Sequence, residues 1–212
     1  MNCIIILNGF ITKSEAVKKA IEGAELVICA DGGAKWASEE KIKVDAVIGD
    51  FDSADEETIE RYRNTETKII TAPDEKDETD GVLAVDYALL RGADTVSIIG
   101  AEGGRLDHQF GNLMLLKRLQ DAKCRGRIIL DNGYAFMSNA KTEMECSIGD
   151  IISIVPFDGE LVIKESAGLK YSIDKGTNFK NGYPVGLSNI AMKNQVMLDI
   201  TGGTALIFCY KM

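Results

Sequence analysis

Asp45-Ala46-Val47-Ile48-Gly49-Asp50-Phe51-Asp52-Ser53 is a short apolar run that ends in a glycine and two aspartates, and its plan recurs twice downstream. Ile69-Ile70-Thr71-Ala72-Pro73 leads into Lys76-Asp77-Glu78-Thr79-Asp80, and Val96-Ser97-Ile98-Ile99-Gly100 leads into Gly103-Gly104-Arg105-Leu106-Asp107-His108. If these apolar runs are neighbouring strands of one parallel sheet, all three clusters emerge at the same edge. In open α/β sheets the carboxyl edge is where ligands bind. Carboxylates crowded there repel: two unit charges about 4 Å apart interact by roughly 4 kcal/mol at an effective dielectric of about 20. A hard cation relieves that repulsion, and Mg²⁺ held by one or two carboxylates usually carries substrate phosphates. The first expectation is Mg²⁺-dependent phosphate chemistry.

Working outward, the first half alternates apolar runs with helical periodicity. Strands are expected at Cys3–Leu7, Leu26–Ala30, Ala46–Ile48, Lys68–Thr71, Val96–Ile99 and Arg127–Leu130. Their Ile/Val-rich, non-alternating character suits strands covered on both faces. Ser14 precedes Val17, Ala20 and Ile21 at helical spacing, and Ser53-Ala54-Asp55-Glu56 has the form of a capping box. Thr79 to Leu90 reads as a helix with Gly92 at its C′ position. Asp107 to Leu119 places Phe110, Leu113, Met114 and Leu116 on one broad apolar stripe. Strands alternating with helices predict a doubly wound, mostly parallel α/β domain.

From about residue 140 the period changes to two. Ile152/Ile154, Leu161/Ile163, Leu169/Tyr171/Ile173, Val196/Leu198/Ile200 and Leu206/Phe208/Tyr210 alternate with polar neighbours. Phe157-Asp158-Gly159, Lys180-Asn181-Gly182 and Thr201-Gly202-Gly203 read as the turns between them. That pattern predicts a small all-β sandwich. The boundary is expected near Ser138–Thr142, giving domains 1–138 and 139–212.

Composition narrows the partners. The 212 residues are 45% hydrophobic and 27% charged, an ordinary soluble mixture, with a net charge of −9 that argues against nucleic acid. No run approaches the ~18 apolar residues of a membrane span. The start lacks the basic segment of a signal peptide. Five cysteines, none in a CxxC pair, speak for a reducing cytoplasm rather than a disulfide framework or zinc site.

Each candidate residue has a plain structural reading beside its chemical one. Asp50 and Asp52 stand two apart in extended chain, so both can face one ion; otherwise they are turn acids near a helix start. Asp77 and Asp80 bracket Thr79 at a helix N-terminus, where capping and the macrodipole already favour acids. Lys76 beside them could neutralise phosphate. Asp31-Gly32-Gly33 and Gly103-Gly104-Arg105 offer backbone amides to an anion, the second with a guanidinium added; both could equally be tight strand-to-helix turns. His108, the one histidine, is a candidate acid or base or a first-turn hydrogen-bonding residue. A single histidine gives no credible Ser/His/Asp set, and no P-loop motif is present.

Six segments in order resemble thiamine pyrophosphokinase, across essentially the whole chain. They are Ala30-Asp31-Gly32-Gly33-Ala34, Ile48-Gly49-Asp50-Phe51-Asp52-Ser53, Lys76-Asp77-Glu78-Thr79-Asp80, Gly104-Arg105-Leu106-Asp107-His108 with Asn112, Gly168-Leu169-Lys170-Tyr171, and Gly186-Leu187-Ser188-Asn189. The resemblance implies an N-terminal α/β catalytic domain, a C-terminal β domain, and a homodimer with the thiamine site between subunits. It also implies transfer of pyrophosphate from ATP to the thiamine hydroxyl, with release of AMP. Carried over by motif, Asp50, Asp52 and Asp80 correspond to Mg²⁺-centred carboxylates, and Asp77, Arg105 and Asp107 to further residues of the catalytic cleft. Asp31, Gly32, Gly33, Lys76, Thr79, Gly104, His108 and Asn112 are candidate binding residues, and Ser188-Asn189 is the thiamine-side segment.

Two departures accompany the match. Ile190 follows Ser188-Asn189 where many members have Glu, and the only Trp is Trp36, in the first domain. Where some members stack a C-terminal Trp on thiamine, Tyr183 or Phe179 is the candidate here. The rival readings are a metal-dependent phosphoesterase, a non-catalytic nucleotide or thiamine sensor, and a structural dimerisation module.

Overall fold

The computed structural model describes every residue except 52–55, 72–77, 175, 176, 178 and 180–184. Asp52, Ser53, Lys76, Asp77 and Tyr183 therefore lie outside the described residues, as does most of the Ser53 capping box. The chain divides into two compact units, Met1–Asp131 and Asn132–Met212.

The first unit alternates β1 (Asn2–Ile6), α1 (Glu15–Glu22), β2 (Leu26–Ala30), α2 (Gly33–Glu39), β3 (Ala46–Gly49), α3 (Glu56–Arg63), β4 (Lys68–Thr71), α4 (Asp80–Leu90), β5 (Thr95–Ile99), α5 (Leu106–Asp121) and β6 (Arg125–Leu130). Its strands lie in the order β6-β5-β1-β2-β3-β4, every pairing parallel. The chain winds outward from β1 to β4, then returns to place β5 on the other side of β1. The direction of winding thus switches between β1 and β5, the position at which open α/β sheets bind ligands. β2 is buried at all five positions, as a strand covered on both faces must be. On one face Val17, Ala34, Ala37, Ile59 and Tyr62 pack with Ile4, Ile6, Val27, Cys29 and Val47. The alternate strand residues Ile5, Ile28 and Ile98 are also fully buried.

Local chemistry sets the helix ends. Ser14 Oγ accepts the Val17 N–H at 3.3 Å, and Thr79 Oγ1 accepts the Val82 N–H at 3.4 Å. Gly92 follows the Arg91 cap of α4 at φ 81°. The apolar stripe expected on α5 splits. Leu115, Leu116 and Leu119 are buried, whereas Leu106, Phe110 and Met114, at four-residue spacing on the opposite side, are exposed.

The second unit comprises β7 (Gly133–Ser138), β8 (Thr142–Glu145), β9 (Ile151–Ala167), β10 (Asn189–Ile190) and β11 (Gln195–Tyr210). They run in the order β10-β9-β11-β7, with β8 also on β11, all antiparallel. The unit begins at Asn132 rather than near Ser138–Thr142, because Gly133–Ser138 pairs residue for residue with Ala205–Tyr210. Phe157-Asp158-Gly159 and Thr201-Gly202-Gly203 lie inside β9 and β11 instead of ending strands. The β9/β11 register shifts repeatedly between Asp199 and Ala205, and Gly203 has φ 67°. Such bulges change which face a side chain meets. Accordingly the core takes Val196, Leu198 and Ile200 up to the middle of the irregular stretch but Ala205, Ile207 and Cys209 beyond it. Phe208 and Tyr210, expected inward, are the opposite phase and only half-buried.

Candidate active site

The carboxyl edge of the first unit is assembled by backbone contact. Beyond β1 and β5 the chain stays paired: the Leu7, Gly9 and Phe10 N–H groups donate to the Ile99, Gly100 and Glu102 carbonyls at 2.9, 2.8 and 2.6 Å. A Cβ on Gly9 would stand 2.2 Å from Glu102 O, and one on Gly33 would stand 2.2 Å from Ile6 O. A Cβ on Gly32 would meet the Asn8 side chain at 2.3 Å. The ends of β2 and β3 are equally close, since Asp31 N–H donates to Ile48 O at 2.9 Å and a Gly49 Cβ would lie 3.3 Å from Asp31 Cα. Asp31 and Asp50 therefore leave adjacent strands side by side. Gly81, next to Asp80 at the start of α4, packs toward Leu115 and Leu7, which brings that helix start to the end of β1. Capping there falls to Thr79, so Asp80 is not needed for it.

Backbone strain marks the same segments. Five non-glycine residues among those described have positive φ: Asp31, Lys41, Phe51, Lys123 and Ser188. Lys41 and Lys123 each follow a helix cap, an ordinary place for that conformation. Asp31, Phe51 and Ser188 all fall within segments singled out as functional, where enforced strain tends to collect.

Gly103 and Gly104, at φ 91° and 69°, deliver Arg105 to the start of α5. Its guanidinium grips Asp107 with two prongs, Nε to Oδ1 at 3.1 Å and Nη2 to Oδ2 at 2.5 Å. Those hydrogen bonds hold the Asp107 carboxyl below the ordinary carboxylate range and raise Arg105 further. Asp107 also accepts the His108 backbone N–H at 3.0 Å. Both side chains are exposed, so the pair is an orienting contact rather than a source of stability. Asn112 Nδ2 donates to Ala101 O at 3.1 Å and ties α5 to the turn after β5.

In the second unit Ser188 ends the loop that leads into β10, and Asn189 is that strand's first residue. Asn189 is buried and hydrogen-bonds the Tyr171 main chain; Ser188 is exposed at φ 58°. Phe179, a candidate thiamine-stacking ring, is 3% exposed within this unit's core and has no free face to offer. Tyr171 is 61% exposed. Trp36 packs against the core of the first unit.

The first unit thus brings Asp31, Gly32, Gly33, Asp50, Thr79, Asp80, Gly104, Arg105, Asp107, His108 and Asn112 to strand ends and helix starts of one sheet. Among the described residues no three His, Cys, Asp or Glu side chains group as a metal site, and Asp52 and Asp77 lie outside that set. Sequence reading missed the Asn8-Gly9-Phe10 turn, which closes the edge at the switch point. Its signal was an Asn-Gly pair directly after the first apolar run.

A family model for the catalytic domain of thiamin pyrophosphokinase matches residues 17–130. Thiamine pyrophosphokinase 3 of Oryza sativa subsp. japonica is 27% identical over 87% of this chain and 78% of its own. Thiamine pyrophosphokinase of Bacillus subtilis is 32% identical over 60% of each. The crystal structure of thiamine pyrophosphokinase from Bacillus subtilis superposes with a TM-score of 0.84 at 25% identity, covering 99% of both chains.

Proposed function

The chain belongs to the thiamin pyrophosphokinase family, and on that premise we propose the chemistry of its site. It transfers the pyrophosphoryl group of ATP to the thiamine hydroxyl, giving thiamine diphosphate and AMP. The observation that carries the reading is that Asp31 and Asp50 leave the adjacent strands β2 and β3 side by side, with Asp80 and Arg105 at the helix starts that follow β4 and β5 on the same edge of the sheet. Such transfers demand positioning and charge stabilisation more than covalent participation by the protein.

The donor set suits Mg²⁺: carboxylate oxygens at a strand edge, with no thiol or imidazole among them. Asp50, Asp52 and Asp80 are the residues to hold it. When bound, it neutralises phosphate charge. Arg105, preset by Asp107, receives phosphate oxygens in bidentate fashion. Asp107, with its basicity lowered by that pairing, serves as the orienting partner of Arg105 rather than as proton acceptor. Gly32, Gly33 and Gly104 leave backbone amides open to phosphate, alongside Lys76, Thr79, His108 and Asn112. Asp77 is a further candidate for the catalytic cleft by its motif alone.

At the level of architecture, the reading is a doubly wound α/β catalytic unit with a β-sandwich unit that binds thiamine. The bulged β9/β11 pair supports the sandwich, because both of its halves line one core. A homodimer with thiamine between the subunits is supported by the uncovered Leu106, Phe110 and Met114 on α5, next to Arg105 and Asp107. Phe110→Asp is expected to yield monomer by light scattering; a variant that stays dimeric rules out this face. Five free cysteines favour a reducing cytoplasm, and no helix among the described residues is long and apolar enough to cross a membrane.

The test is incubation with ATP, Mg²⁺ and thiamine, with AMP and thiamine diphosphate assayed together. Equal amounts of both are expected. Phosphate release without thiamine would point to a phosphoesterase, and tight binding without AMP to a sensor. Asp50→Asn should lower kcat on the order of 10²-fold, as for loss of a preorganised electrostatic contact. Near-normal AMP formation by that variant would remove Asp50 from the site.

A further inference from the structure

Asn189 looks, in sequence, like a thiamine contact. Its surroundings give it other work. The residue is 6% exposed, and both of its polar atoms are engaged within the protein. Oδ1 accepts the Tyr171 N–H at 3.0 Å and the Ile190 N–H at 2.9 Å. Nδ2 donates to the Tyr171 carbonyl at 2.7 Å. The amide thus acts as one more strand residue, holding the Lys170-Tyr171 turn against the start of β10.

Its neighbour is held from the other side. Ser188 stands at φ 58°, a conformation that a side chain other than glycine keeps only where its surroundings enforce it. The Ser188 N–H donates at 3.1 Å to the hydroxyl of Ser153, a residue of β9 that is itself 7% exposed. Beside it the Ile154 N–H donates to Gly186 O at 2.9 Å, so β9 grips both ends of the Gly186–Ser188 turn. A polar side chain buried in a strand and aimed at a loop amide is an unusual use of core space, because burying a hydroxyl is unfavourable unless it is hydrogen-bonded.

We propose that Ser153 and Asn189 are positioning residues for thiamine. Together they fix Ser188 in its left-handed conformation and Tyr171 beside it. The exposed Ser188 hydroxyl and Tyr171 ring, rather than Asn189, then form the surface that meets the substrate. The Tyr171 ring already has the Lys170 ammonium 5.5 Å from its centroid and presents its remaining exposed surface to the substrate. The inference rests on the pyrophosphokinase reading and adds to it two residues that act without touching substrate.

The experiment is steady-state kinetics on the full chain for the native protein, Ser153→Ala, Ser153→Thr and Asn189→Ala, with thermal melts alongside. Loss of one loop hydrogen bond in Ser153→Ala should raise KM for thiamine about 5-fold. Its KM for ATP and its kcat should stay near native values, and Ser153→Thr, which keeps the oxygen, should restore KM. Asn189→Ala, which frees three bonds, should raise thiamine KM further, by roughly 10-fold or more. If that variant does not fold, Ser153→Ala decides alone. An unchanged thiamine KM, an equal rise for both substrates, or failure of Thr to restore would overturn the inference while leaving the activity intact. A native protein that makes no thiamine diphosphate would overturn the underlying reading and this inference with it.

Discussion

The two units share one means of holding their functional loops, close backbone approach at glycine, and the second adds more side-chain ties to it. At the edge of the first unit, backbone meets backbone: Gly9, Gly33 and Gly100 each stand where an added Cβ would lie 2.2 or 2.3 Å from a carbonyl oxygen. In the second unit Gly186 and Gly168 are as close, with an added Cβ 2.1 and 2.4 Å from the Ile154 and Gln195 carbonyl oxygens, and Ser153, Asn189 and Ser166 add side-chain hydrogen bonds to main-chain groups of neighbouring turns. Steric closure is all-or-none, because repulsion rises steeply with overlap. Hydrogen-bonded closure is graded, each bond contributing about 1 kcal/mol net.

The sharpest way to break that contrast uses two glycines with nearly the same backbone. Gly100 and Gly104 have φ of 71° and 69°, so alanine at either incurs a similar conformational penalty. Their space differs completely. A Cβ on Gly100 would lie 2.3 Å from Leu7 O, whereas one on Gly104 has nothing within 4 Å. Gly104→Ala should cost about 1 kcal/mol, and Gly100→Ala roughly 2–3 kcal/mol more through overpacking. Chemical denaturation of the two variants measures the gap. Equal losses would mean that conformation alone, and not close backbone contact, keeps glycine at this edge.

A smaller effect compares the units through one hydrogen-bonded tyrosine in each, Tyr62 buried and Tyr134 half-buried. Tyr62 donates to Ala34 O and Tyr134 to Glu145 O, both at 3.0 Å, and burial raises both hydroxyls well above the ordinary phenol range. A folded pKa above the unfolded one gives a contribution that is complete below the unfolded value near 10. It is lost as pH rises from there toward the folded value, so stability should fall more steeply above about pH 10. Tyr62→Phe should cost about 1 kcal/mol at neutral pH and flatten that alkaline fall. Burial raises both hydroxyls alike, so Tyr134→Phe should flatten it to a similar extent. The comparison fails if only one variant changes the slope, or if neither does.

The first unit was legible because its signals are local. Apolar runs located all its strands to within two residues, and Ser14, Thr79 and Gly92 marked helix ends by the chemistry they then displayed. The second unit was less so, since its governing event is a change of strand parity. Gly202-Gly203 read as a turn, yet the antiparallel partner carries the chain through it as a bulge, and every later side chain exchanges faces. Nothing within those few residues distinguishes the two outcomes; the partner strand decides. The exposed half of α5 was misread for a related reason, because Leu106, Phe110 and Met114 have core composition without a core to enter. The Asn189 clamp on Tyr171 is likewise a tertiary fact, whereas the Arg105–Asp107 pairing is local, two residues apart at the start of α5. Sequence named the residues, and only packing assigned their work.

The smallest expected change gives the contrast its best test of purpose. Ser188 holds a left-handed φ of 58° without being glycine. Ser188→Gly relieves that strain but frees the unfolded chain as well, so the net gain should be no more than about 1 kcal/mol. Activity should move the other way, with thiamine KM rising as the hydroxyl disappears and ATP KM holding steady. At Gly100, by contrast, stability and activity should fall together. Opposite signs at Ser188 would identify strain kept for binding. A variant both more stable and fully active would instead make Ser188 a passive turn residue, and the side-chain clamp around it a matter of folding alone.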